Sequence, residues 1–265
     1  MTLGADLVLL AVDESRGTVR LATQLGVALA AAELVELART RRIEAVGEGI
    51  RVVEDLRTGD PVLDETLARL SASPKAILIT DWIALQAGGR VTAQLAAMIK
   101  SGELEGQLLR MSLDSPAKPV GLRHTGDDRR RRLIEKLTDA VLYEAPIEDE
   151  AFAALAQAAD IPARVLAGRT KHRVEKGLKP LLSWFGDTWR FLPGAAEEIA
   201  LGDDDIEDGD VNPLYDEPWR LLIRLAVGEA VKRASTVTRR SERENGLSKD
   251  VETAALMAYA WNHHL

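Results

Sequence analysis

Arg129-Arg130-Arg131-Arg132 is the densest cationic run in the chain. Neighbouring like charges repel and lend a helix no local support, so the run calls for a chemical account. A guanidinium offers a planar fork of donors that matches phosphate oxygens. At a helix start, where unpaired backbone N–H groups also point outward, such a cluster reads as a seat for a phosphate-bearing ligand. The competing reading is a solvated helix start, the usual fate of a charge run. The helix is well marked, because Leu133, Ile134, Leu137, Ala140 and Val141 recur at helical spacing between Arg129 and Leu142.

Other reactive chemistry is scarce. No glycine-rich loop ends in Gly-Lys-Ser/Thr, and neither a His-Glu-x-x-His nor a Gly-x-Ser-x-Gly motif occurs. Of the histidines His124, His172, His263 and His264, the last two stand at the chain end and carry no metal reading. The acidic stretch Asp203 to Asp210 has its glycine at the wrong offset for a calcium loop. Asp60, followed by Pro61, is a helix cap, and Asp64 and Glu65 suit the positive end of the helix dipole. These acids are therefore not read as a catalytic pair. The expectation is a protein without catalytic residues, metal or cofactor.

The chain has 265 residues, a formal net charge of -8 and no cysteine, which leaves out disulfides and thiolate chemistry and fits a reducing compartment. Hydrophobic residues make up 46% and aromatics only 4%, so the core must be aliphatic. Such a composition favours helices. An acidic balance speaks against bulk binding to nucleic acid. No apolar run approaches the roughly 18 residues of a membrane span, and Met1 to Asp6 lacks a signal-like basic region. The location read from this is cytoplasmic.

The elements that must position the arginines follow from periodicity. Leu7 to Val12 is an apolar run of strand or buried-helix type, and Thr18 to Leu21 is extended. Thr23 to Thr40 is a helix, with Leu25, Leu29, Ala32 and Leu37 inward and Glu33 and Glu36 on the wet side. Ile43 to Val46 and Ile50 to Val53 form a hairpin across Gly47-Glu48-Gly49. A helix starts at Pro61 and buries Val62, Leu63, Thr66, Leu67 and Leu70. Asp81 to Leu85 and Thr92 to Lys100 read as two helices parted by Gly88-Gly89, with an extended arm from Leu104 to Leu113. Beyond Leu142, helices are expected at Phe152 to Ala159, Pro162 to Leu166 and Val174 to Phe185, the last carrying Pro180. Leu201 to Pro218 is an acidic loop. Helices at Trp219 to Thr236 and Val251 to Trp261 close the chain, docked by Leu221, Leu222, Leu225, Leu256 and Trp261. The fold class is thus mainly α, one domain over 1–265, a helical core surrounded by amphipathic helices with small hairpins. Two helix-plus-hairpin units, with Arg39, Arg41 and Arg42, keep a winged-helix reading in view.

Several stretches, in order, resemble the Golgi phosphoprotein 3 family. They are Leu7 to Leu10 with Gly17, Ala31 to Ala38 with Arg42-Ile43, Thr58 to Leu67, Trp82-Ile83, Ile99 to Leu104, and Arg132 to Leu137 with Ala140 to Leu142. The block Thr58-Gly-Asp-Pro-Val-Leu-Asp-Glu-Thr-Leu67 is the most specific. The resemblance runs from about Leu3 to Leu166 and thins beyond. It implies a mainly helical domain and a non-enzymatic peripheral membrane protein that binds phosphatidylinositol 4-phosphate. In that family a tryptophan and a basic residue before and within the early helix join basic residues at the start of the later one. By register, Leu21 and Ala30 stand in the first pair of positions, and Arg20 is the nearest substitute. Arg130 and Arg132 occupy the later stretch, with Arg129 and Arg131 beside them, so the lipid phosphate site implied is Arg20, Arg129, Arg130, Arg131 and Arg132. The family's exposed apolar hairpin is reduced to the acidic Tyr143 to Glu150. The chain resembles a divergent, bacterial-type member. The partner expected is an anionic, phosphoinositide-like lipid, with protein partners in second place and nucleic acid excluded; the alternative is a soluble interaction scaffold that has lost the lipid.

Overall fold

The computed structural model describes residues 2–19, 22–73, 76–109, 118–125, 127–186 and 217–236. Its centre is a helix, α2 (Ala22–Arg39). Every residue of α2 from Gln24 to Ala38 is buried, as befits a helix enclosed on all sides. Around it pack α1 (Leu3–Ala11), α3 (Pro61–Ser71), α4 (Ile79–Lys100) and α6 (Ile147–Ala158). The apolar run near the start is therefore a helix, with its N-terminus capped by the Thr2 hydroxyl at 3.4 Å from the Ala5 N–H.

Glu33 and Glu36 do not face water as periodicity predicts. Each answers a demand created by the helices packed on α2. Glu36 Oε1 accepts the N–H of Leu3 at 2.8 Å, closing one of the orphan donors at the start of α1, while Oε2 takes Arg39 at 2.8 Å. Glu33 is only 4% exposed. Its Oε2 accepts the Thr66 hydroxyl of α3 at 2.6 Å. Arg90 of α4, 3% exposed, brings Nε to 3.3 Å of the same oxygen, an ionic contact not aligned as a hydrogen bond. Burial pushes the Glu33 carboxyl up from 4.5 to about 7, against the opposing pull of Arg90 and the Thr66 hydroxyl.

The expected break at Gly88-Gly89 is also absent, since α4 runs unbroken over both glycines. Both are exposed and neither would give a Cβ anything to meet. Each lowers helix stability by about 1 kcal/mol relative to alanine, but Trp82, Ile83, Arg90, Gln94, Leu95 and Met98 bury one face on the body and hold the helix together. The α2–α4 contact is close enough that a Cβ on Gly26 would lie 2.2 Å from the Ala87 carbonyl oxygen. Only glycine fits there.

Small antiparallel strands edge this body. β1 (Val12–Asp13) pairs with β2 (Thr18–Val19). β3 (Ile43–Val46), β4 (Gly49–Val52) and β5 (Ile77–Leu78) form a three-stranded sheet in that order. β6 (Leu104–Leu109) pairs with β7 (Lys118–His124). Asp60 caps α3 as expected, accepting from Val62 N–H at 2.9 Å and Leu63 N–H at 3.1 Å. β7 leads into α5 (Asp127–Leu142), followed after α6 by α7 (Pro162–Val165) and α8 (Gly168–Gly186), which contains Pro180. A last described helix, α9, spans 218–236 and adds Leu222, Ile223, Ala226, Val227 and Ala230 to the same apolar core. Residues 201–216 of the expected acidic loop, and the expected helix from Val251 to Trp261, lie outside the described residues; Pro218 belongs to α9. Among the described residues no helix is long and apolar enough to cross a membrane.

Candidate functional site

The arginine run lies in the first turns of α5, and its members part company. Arg129 turns inward: one guanidinium nitrogen meets Asp6 Oδ1 of α1 at 2.6 Å, the other Glu103 Oε2 in the turn before β6 at 2.9 Å. That double ion pair ties α5 to α1 and to the end of α4. Arg131 is exposed, 3.5 Å from Asp128. Arg130 and Arg132 make no ion pair among the described residues. Arg132 borders a groove shared with Lys136, Asp139, Tyr143 and Asp149, in which Lys136 and Asp149 pair at 2.7 Å.

Arg130 borders a pocket of about 300 Å³ whose other walls are Leu10 to Glu14, Arg164 and Val165. The end of α1 and β1 form one wall. Gly17 fastens the β1–β2 turn to β7, its carbonyl accepting the Leu122 N–H at 3.1 Å. A Cβ on Gly17, whose φ is 60°, would lie 2.9 Å from the Gly121 backbone, so glycine is required at this approach. Glu14 reaches across the same seam, Oε1 accepting the His124 N–H at 2.8 Å. Asp13 accepts the Ser15 hydroxyl at 2.5 Å, with Arg16 at 3.9 Å.

Arg164 reaches the pocket through a chain reversal after α6. Asp160 takes a φ of 56°, the Ile161 N–H bonds the Ala156 carbonyl at 3.0 Å, and the Asp160 N–H bonds that of Gln157 at 2.9 Å. This is a Schellman closure with aspartate at the left-handed position. Asp160 then holds Arg164 at 3.0 Å across one turn. Sequence reading did not select Arg164. The local signal available was the Asp160–Arg164 spacing of four, which marks a helical ion pair and not a ligand.

The other sequence-derived positions divide as well. Arg20 and Leu21 lie outside the described residues. Ala30 is fully buried in α2, so the position that resemblance assigns to a basic residue is part of the core. In Tyr143 to Glu150, Tyr143 is 67% exposed, and Ile147 onward begins α6. The helix-plus-hairpin units exist as α2 with β3–β4 and α4 with β6–β7. However, Arg39 pairs with Glu36, Arg41 with Glu217 and Arg42 with Glu54, so this stretch presents neutralised guanidinium groups. Among the described residues no three His, Asp or Glu side chains gather into a metal-holding group.

Set against known proteins, residues 3–201 match the family model described as Golgi phosphoprotein 3. No curated protein matches the chain.

Proposed function

The chain belongs to the Golgi phosphoprotein 3 family, and from that premise we propose that it is a non-enzymatic peripheral membrane protein that seats a lipid headgroup phosphate on Arg130. The supporting observation is Arg130 itself, a guanidinium with no ionic partner among the described residues, bordering a pocket at the start of α5. Family resemblance makes phosphatidylinositol 4-phosphate the first headgroup to try, with the protein on the cytoplasmic face of the membrane. The test is sedimentation of the full chain with phosphatidylcholine vesicles, plain or carrying that lipid. Binding should fall on replacing Arg130 and Arg132 together with alanine, and should weaken with salt. A charge-assisted contact to phosphate is worth about 1.5–3 kcal/mol. Wild-type protein that never sediments with any phosphate-bearing vesicle would overturn the proposal.

A soluble interaction scaffold is the second reading. It is favoured by Ala30, because a fully buried alanine stands where the family places a ligand-binding cation.

A further inference from the structure

We propose that the pocket between β1, α5 and α7 takes a zwitterionic phosphoethanolamine headgroup, with its phosphate on Arg130 and Arg164 and its ammonium on Glu14, beside Asp13. The proposal rests on the lipid-headgroup reading above and departs from it in the headgroup, since a phosphoinositide brings no cation for Glu14. It starts from the charges at the pocket wall, where Arg130 and Arg164 face the same space as Asp13 and Glu14. Asp13 already has Arg16 at 3.9 Å and Arg164 has Asp160 at 3.0 Å, which leaves Arg130 and Glu14 as the charges of opposite sign that a ligand would meet. A headgroup with several phosphates would bring its extra negative charge beside Glu14 and Asp13, and like charges repel. A headgroup with one phosphate and one ammonium meets a partner at each end.

The donors and acceptors agree. Arg164 spends one nitrogen on Asp160 and retains other N–H groups of its planar fork for a second acceptor. Glu14 uses Oε1 on the His124 N–H; its Oε2 has no donor among the described residues. A primary ammonium carries three donors and seeks such an acceptor. A trimethylammonium has none, which separates ethanolamine from choline. The volume, about 300 Å³, stands at the lower end of ligand pockets (roughly 300–1,000 Å³) and suits a small headgroup. Asp160 adds a positioning role, because its left-handed backbone and its carboxylate together deliver Arg164.

The experiment is vesicle sedimentation of the full chain. The vesicles are phosphatidylcholine alone or with phosphatidylethanolamine, phosphatidylglycerol or phosphatidylinositol 4-phosphate, and soluble phosphoethanolamine serves as competitor. Phosphatidylethanolamine should raise the affinity at least about tenfold over phosphatidylcholine alone, the gain expected of one added charge-assisted contact. Arg164→Ala should remove that gain and Arg164→Lys restore part of it. Glu14→Gln should lower ethanolamine-dependent binding while leaving or raising binding to phosphatidylglycerol. Thermal midpoints, read in parallel, should stay close to wild type for these exposed side chains. Equal binding with and without phosphatidylethanolamine, alongside clear binding to phosphatidylinositol 4-phosphate, would overturn the zwitterion and leave the lipid reading standing. Binding to no vesicle at all would remove both. Soluble phosphoethanolamine bound by a protein that ignores vesicles would overturn the membrane source of the ligand.

Discussion

Arg90 and Arg130 are the same side chain under opposite conditions. Arg90 lies in the core between α2, α3 and α4, 3.3 Å from a buried carboxylate, with Gln86 at 2.8 Å and Glu65 at 4.0 Å. Arg130 stands at a pocket wall and makes no ion pair among the described residues. Burial makes the first indispensable to the fold, since a lone charge away from water is costly. Partial exposure makes the second nearly irrelevant to folding and free to serve a ligand. Arginine content thus says little about function until each guanidinium is assigned its counter-charge.

The contrast is broken most severely at its buried end. Glu33→Ala should cost on the order of 3–5 kcal/mol, because Arg90 keeps its charge with its closest acidic partner removed. Chemical denaturation above pH 8, where Glu33 is ionised, would show it in full. Arg90→Ala should be comparably harmful above pH 8 and milder at pH 5, where Glu33 is protonated and needs no counter-ion. Equal losses for Arg90→Ala at both pH values would disprove the buried-carboxylate account.

Next comes the pH dependence of the wild type. Glu33 has a folded pKa of about 7 against an ordinary 4.5. Between those values the folded chain holds a proton that the unfolded chain has released. Its contribution to stability is full below about 4.5 and is lost as the pH climbs to about 7, an amount on the order of 3 kcal/mol. Glu33→Gln should flatten that slope relative to wild type. Asp64 behaves oppositely: burial pushes it up, but hydrogen bonds from the Thr58 hydroxyl, the Thr58 and Gly59 N–H groups and nearby Arg57 outweigh burial and hold it below its usual range.

The arginine run then divides in two. Arg129→Ala should cost about 1–3 kcal/mol, since Asp6 and Glu103 lose a shared charged donor. Arg130→Ala should change stability by no more than about 0.5 kcal/mol while weakening vesicle binding. A thermal-shift series on the two variants checks the split, and reversed magnitudes would exchange their roles. Asp60→Ala, at about 1 kcal/mol for a lost cap, calibrates the series with a feature unrelated to charge pairing.

Much of this architecture was legible in the residues themselves. Asp60-Pro61 announced α3, Gly47-Glu48-Gly49 announced a hairpin, and the apolar spacing after Arg132 announced α5. These features are local: capping, turn chemistry and period are decided within a few residues. Glu33 and Glu36 misled because periodicity assumes that a charge faces water, whereas here Thr66, Arg90 and the Leu3 amide reach them from distant parts of the chain. Gly88-Gly89 misled for a similar reason, since long-range packing on α2 overrides a local weakness. At the candidate site the sequence marked Arg130 by its unusual company. It had no means of marking Arg164, whose approach depends on the left-handed turn at Asp160 and on how α7 meets β1.

The pocket walls come from residues 10–14, 130 and 164–165, and this spread has a bearing on how the protein is made. A ribosome delivering the chain from its N-terminus exposes the α1–β1 wall first and Arg164 about 150 residues later. At synthesis rates of ~5–20 residues per second, the nascent chain carries an unfinished pocket for roughly 8–30 seconds. On the proposed headgroup reading, capture would wait until α7 has emerged, and a chain arrested before residue 160 would hold Arg130 without Arg164.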